Sequence, residues 1–111
     1  MSSEWPATEL GPIGDRVIFE NDSIRVWTFS VEPGGLKHMH RHELPYLIVP
    51  LTGGSVEITT DGGAVRAAED QPGAVVWQDA GEVHQLRNVG ADRYENVLVE
   101  LKGHEKAAPT V

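Results

Sequence analysis

Apolar and polar positions alternate in short bursts along this chain, and glycine or proline closes almost every burst. In "SVEITT", Val56 and Ile58 point one way while Glu57 and Thr59 point the other, the period-two signature of a half-buried strand. The pattern predicts strands at about 16–20, 23–32, 36–42, 45–52, 55–60, 64–68, 74–78, 83–88 and 93–102. No segment keeps a helical period over a dozen residues. Many short strands at such spacing imply an all-β sandwich or barrel.

Local features refine this picture. "TTDGGA" predicts a hairpin, with Asp61-Gly62 supplying the positive φ angles of a tight turn. Pro50 cannot donate to a ladder, so it predicts an edge or a bulge in the strand around it. "YLIVPL" and "ENVLVEL" are apolar on both parities. Both faces of those strands are therefore expected to be covered, and a dimer contact is one way to cover the second. The inward parity of 23–32 and 93–102 stays open. Residues 1–14 are expected to form an N-terminal arm, 15–102 the single β domain, and 103–111 a polar tail.

Composition narrows the function. A chain of 111 residues suits one domain with one core. The formal net charge of −8 offers no basic stripe, so a nucleic-acid partner is not expected. The longest apolar run, Tyr46 to Leu51, is too short to span a bilayer, and "MSSEWPATEL" lacks the pattern of a secretory signal. With no cysteine, disulfides, zinc–thiolate sites and a thiol nucleophile are excluded. A cytoplasmic setting is the expectation.

The chemistry concentrates in "HMHRHELPY", where His38, His40 and His42 sit at every second position. On a strand they form a row about 13 Å long on one face. Two neighbours can lean toward one metal ion, but three in a row cannot easily do so, so a further ligand must come from elsewhere. His84, after the turn Asp79-Ala80-Gly81, is the natural candidate, and it leaves His104 without a role. The alternative set His38, His40 and Glu43 would give two imidazoles and a carboxylate, a facial triad suited to non-haem iron. Glu43 has the wrong parity for it unless the strand bulges. The bland alternative for His40, His42 and His84 is a set of hydrogen-bonded core histidines. Trp27 and Trp77 read as core or interface aromatics. Gln78 and Asn88 either orient the site or serve turns and strand ends, and Arg41 and Glu43 have outward parity.

Two stretches resemble the motifs of the cupin family. The first motif runs Gly34, five residues, His40-Arg41-His42, three residues, Tyr46, six residues, Gly53, with Tyr46 where the family carries Glu. The second runs Gly73, five residues, Asp79-Ala80-Gly81, two residues, His84, three residues, Asn88, with Asp79 in place of Pro. "HRHELPYLIVPLTGG" with "ENVLVELKG" is also similar to a subgroup of small cupins named for β-alanine degradation. The resemblance implies a single-domain jelly-roll barrel, commonly dimeric, with a divalent metal inside.

It further implies that His40, His42 and His84 are the metal ligands, a three-histidine site in which Tyr46 replaces the family's glutamate. Tyr46 then has three readings: a hydrogen bond to a metal-bound ligand, ligation as phenolate, or core packing. Three neutral imidazoles leave the ion's charge uncancelled and coordination positions open, which suits a small anionic substrate. Iron(II) is the first expectation for the metal, with nickel, manganese, zinc and copper open. The expected function is a metal-dependent oxygenase of a small polar or anionic metabolite, with Tyr46 as the catalytic side chain. A non-catalytic binding module and a metal-dependent isomerase or lyase are the alternatives.

Overall fold

A computed structural model describes residues 10–103. His104 and most of the expected arm and tail lie outside the described residues. Nine strands follow one another: β1 (Arg16–Glu20), β2 (Ile24–Val31), β3 (Leu36–Arg41), β4 (Tyr46–Pro50), β5 (Gly54–Thr60), β6 (Val65–Asp70), β7 (Val76–Gln78), β8 (Val83–Asn88) and β9 (Tyr94–Leu101). They form two antiparallel sheets, β1-β2-β9-β4-β7 and β3-β8-β5-β6, the two walls of a jelly-roll barrel. The core between them is built by Phe29, Val31, Val56, Leu86, Tyr94 and Leu98. Ile13, from the stretch expected to be an arm, is buried in the same core, and Gly11 N–H donates to the carbonyl of Met39.

The strand β9 resolves the parity that composition leaves open. Tyr94, Asn96, Leu98 and Glu100 point inward and are buried, while Val97, Val99 and Leu101 lie on the outward face. One row across that outward face is apolar. Successive pairings align Phe19, Val26, Val99, Leu47 and Trp77 in one row over all five strands. Its two ends, Phe19 and Trp77, are 52% and 53% exposed.

Three local expectations change. Pro50 does not mark an edge strand, since β4 lies between β9 and β7. It is tolerated because β7 pairs only with Tyr46–Ile48, so at the last residue of β4 one side has no ladder to break. In the β5–β6 hairpin the positive φ belongs to Gly63, at 96°, rather than to Gly62. Gly63 N–H donates to the Thr60 carbonyl at 2.9 Å and Thr60 N–H to the Ala64 carbonyl at 2.8 Å, a turn closed by a left-handed glycine. Finally, the β3–β8 register shifts between Lys37 and His40. The extra residue breaks the alternation, so the expected row of three imidazoles does not form.

Candidate metal centre

His40 and His84 are direct partners across the β3–β8 ladder. His42 lies just past the end of β3, yet the ladder continues through its backbone. Its N–H donates to the Glu82 carbonyl at 3.1 Å and its carbonyl accepts from Gly81 N–H at 2.6 Å. Gly81 has a φ of 113°, a conformation that side chains rarely adopt, and this turn delivers both His42 and His84 inward. One ligand atom from each of His40, His42 and His84 lies within 4.8 Å of the others, so the three can hold a metal ion. All three are buried.

The hydrogen bonds around the cluster fix the tautomers of His40 and His84. His40 Nδ1 meets the carbonyl of His38 at 2.6 Å. A carbonyl only accepts, so Nδ1 carries the proton and Nε2 keeps its lone pair. His84 Nδ1 meets Glu82 Oε1 at 2.6 Å, with the same consequence. Glu82 is itself gripped by Arg66, whose Nη2 and Nη1 donate to Oε1 and Oε2 at 2.7 and 3.0 Å. This is the carboxylate–histidine arrangement that orients metal ligands. Among the described residues His42 Nδ1 is buried without a hydrogen-bond partner, a polar atom left for a ligand to satisfy.

The electrostatics keep the imidazoles neutral. Burial, reinforced by the neighbouring His40 and His84, pulls His42 down to about 2. Burial pulls His40 to about 4 against the opposing pull of the His38 carbonyl. His84 is also lowered, by burial first, although Glu82 works the other way. The Arg66 hydrogen bonds hold Glu82 at about 2. Neutral imidazoles are the form that binds metals, so the donor set fits a divalent transition ion.

Tyr46 is buried and stacks on His42, with ring centroids 3.9 Å apart and planes 13° from parallel. Burial, with the Glu82 charge adding, raises its pKa, so the hydroxyl stays protonated. Among the described residues that hydroxyl has no hydrogen-bond partner. Glu43 is exposed and is not in the cluster, and the His38 ring is likewise outside it, so the facial triad does not assemble. Asn88 is fully buried but serves a turn, donating to the carbonyls of Val31 and Asp92 and accepting from Gly90 N–H. Trp27 donates Nε1 to the buried Glu100 at 2.8 Å, and Gln78 lines the cavity beside Tyr46.

The cluster opens into a cavity of about 110 Å³. Its waist is apolar, formed by Ile48, Ile58, Ala68, Leu86 and Leu98. Residues that sequence reasoning missed stand at its two ends. Arg66 lies near the histidines, with Glu82 behind His84, and Asp70, Tyr94 and Asn96 lie at the other end. Glu82 sits at alternate spacing from His84, which is the one signal that could have found it.

No family model matches the chain. Among curated proteins, the β-alanine degradation protein BauB of Pseudomonas aeruginosa is 31% identical over 83 residues, 75% of this chain and 86% of that protein. Among solved structures, a cupin domain from Bordetella pertussis superposes with a TM-score of 0.74 at 26% identity, over 79% of this chain and 91% of that one. The polyketide cyclase RemF of Streptomyces resistomycificus gives 0.57 at 26% identity, over 74% of this chain and 56% of that one. A double-stranded β-helix protein from Methanocaldococcus jannaschii gives 0.60 at 12% identity, a likeness of fold alone.

Proposed function

The chain belongs to the cupin family, and we propose that it is a metal-dependent oxygenase acting on a small polar or anionic metabolite. The observation that carries this reading is the convergence of three neutral, buried imidazoles with no carboxylate among them. His40, His42 and His84 would hold the ion. Iron(II) is the first choice, with nickel, manganese, zinc and copper as the others. When bound, such an ion supplies Lewis-acid polarisation and, for iron, activation of dioxygen.

The chain's own residues do the rest. An uncancelled positive charge at the histidines attracts an anionic group. Tyr46, stacked on His42 and kept protonated, donates a hydrogen bond to that group or to what forms from it. The apolar waist excludes water from the reacting end. Glu82 is committed to Arg66 and His84, which leaves no free carboxylate beside the cluster, among the described residues, to act as a base. That supports an oxygenase over an isomerase or lyase. The BauB relative is named for the breakdown of a small amino acid, which supports a metabolite of that size here.

Assembly follows from the outward face. The row Phe19, Val26, Val99, Leu47 and Trp77 is uncharged on a chain of net charge −8. Two copies meet there with the least repulsion and cover exposed apolar surface, so we read the protein as a homodimer through this sheet.

The test of the oxygenase reading is dioxygen consumption by protein reconstituted with each metal and offered a panel of small carboxylates. Uptake that requires iron and vanishes in His84→Ala is the expected result. Thermal stabilisation by a carboxylate with no oxygen uptake under any metal would replace the enzyme with a binding module.

A further inference from the structure

The end of the cavity away from the histidines holds an unanswered acceptor. Asn96 is 3% exposed, lines the cavity, and its Oδ1 is buried without a hydrogen-bond partner among the described residues. Its Nδ2 donates to the Tyr94 hydroxyl at 2.8 Å. The Tyr94 hydroxyl in turn donates to Asp70. This chain of bonds fixes which way the amide faces. Tyr94 has one hydroxyl proton, and a carboxylate takes it, so its oxygen can only accept from Asn96. Turning the amide over would set two acceptors against each other. Oδ1 is therefore left aimed at no protein donor, at a real cost for a buried amide oxygen.

Asn96, with its unanswered Oδ1, and Asp70 thus stand at one end of a cavity whose other end collects neutral imidazoles. Asn96 lies four residues along β9 from Glu100, the partner of Tyr46, so the two ends stand about 13 Å apart along the strand. Ile48, Ile58, Ala68, Leu86 and Leu98 line the interval, with Arg66 opposite Ile58 toward the histidine end. Tyr94 is held in place from behind: a Cβ on Gly54 would lie 2.7 Å from its Cδ1, and Phe29 meets its ring edge-on.

We propose that Asn96, with Asp70 and Tyr94, forms a subsite for the ammonium end of an unbranched ω-amino carboxylate whose carboxylate lies at the His40–His42–His84 end. The carboxylate placement rests on the metal reading above; the ammonium placement rests on Asn96 and Asp70 alone. An ammonium supplies the N–H that Oδ1 lacks and the charge that Asp70 complements, while the methylenes between the two ends match the apolar waist.

The experiment is calorimetric titration of the nickel-loaded protein with ω-amino carboxylates of increasing chain length, each paired with the methyl-terminated acid of equal length. The amine is expected to win by about tenfold or more at one optimal length, as a charge-assisted hydrogen bond would give. Asn96→Ala and the near-isosteric Asp70→Asn should each bring the pair toward parity while metal content and the affinity of the methyl-terminated acid are kept. Equal binding of amine and methyl forms at every length would overturn the subsite and leave Oδ1 to a trapped water. An amine advantage that survives both variants unchanged would overturn it too. Simple n-alkylamines offered to chelator-treated protein separate the two readings. Asn96-dependent binding there, with no metal-dependent binding of the acids, keeps the subsite and removes the metal.

Discussion

His40 lies directly opposite His84 on the β3–β8 ladder, and their ring centroids stand 4.8 Å apart. Backbone pairing, rather than side-chain choice, therefore sets the span of the cluster. Removing one member leaves the other two in place but takes away a third of the donor set. His84→Ala is expected to reduce a near-stoichiometric metal content to background, as read by elemental mass spectrometry on untagged protein. His38→Ala should retain the metal, because His38 contributes its carbonyl, not its ring, to His40. Unchanged metal in His84→Ala would sink the three-histidine centre.

Glu82 gives a graded prediction. It takes the Nδ1 proton of His84 and is locked by Arg66. Glu82→Ala frees the imidazole to turn or to change tautomer, and should weaken metal binding by about 10–100-fold. Glu82→Gln keeps an acceptor for His84 but loses the ion pair with Arg66, so its loss should be smaller. Competition against a chromophoric chelator measures both. Equal affinity in wild type and Glu82→Ala would show that the carboxylate does not orient the ligand.

The buried imidazoles make the metal-free protein sensitive to acid. His40 and His42 sit at about 4 and about 2, well below the ordinary 6.5 of an unfolded chain. Between those values the unfolded state binds protons that the folded state refuses. Their contribution to stability is thus complete above about pH 6.5 and is lost as the pH falls toward 4, at about 1.4 kcal/mol per group for each unit of pKa difference. Thermal melts of chelator-treated protein should fall steadily over that window. His42→Phe, which keeps an aromatic ring against Tyr46 and cannot titrate, should flatten the slope. A melting temperature independent of pH from 7 to 4 would contradict neutral, buried imidazoles.

The strands were legible because turn residues punctuate them; spacing pointed to two neighbouring imidazoles plus His84, and the resemblance to the cupin motifs singled out His40 and His42. What stayed hidden depends on pairing between distant segments. The one-residue shift between Lys37 and His40 leaves no mark in "LKHMHR", yet it removes the His38 ring from the cluster. Pro50 looked like an edge because nothing local says that β7 stops at the level of Ile48. In "YENVLVEL" the outward Val97 and Val99 are as apolar as the inward Leu98, so parity could not be read and Asn96 went unnoticed. Glu100 reads as a surface charge until Arg25 and Trp27 are seen to satisfy it, at 2.7 and 2.8 Å.

Gly54 tests the packing behind the far end of the cavity. A methyl group there would press on the Tyr94 ring at 2.7 Å, and Tyr94 is 1% exposed with little room to retreat. Gly54→Ala should cost about 1–3 kcal/mol, the usual penalty of overpacking. Urea unfolding followed by fluorescence reads it. Gly62→Ala, whose nearest neighbour is a Thr60 hydroxyl 4.0 Å away, is the control and should change little. Equal stability of the two variants would mean that Tyr94 is loosely held.

The outward sheet face yields the last prediction. Trp77 is half-exposed at one end of the apolar row, while its chain neighbours Gln78 and Val76 line the cavity. A substitution at Trp77 therefore alters the outer surface with the inner wall retained. Trp77→Lys places a cation at one end of the row in each copy, and Phe19→Lys does so at the other. A surface that buries both residues against a second copy cannot desolvate those charges cheaply. Sedimentation velocity should show a dimer for the wild type and a monomer for the double variant, with unchanged far-ultraviolet circular dichroism and unchanged metal content. Since the five aligned residues span every strand of the sheet, either single variant should weaken the dimer less than the pair. A wild type that sediments as a monomer at every concentration would remove the interface from this face, and a double variant that stays dimeric would move it elsewhere.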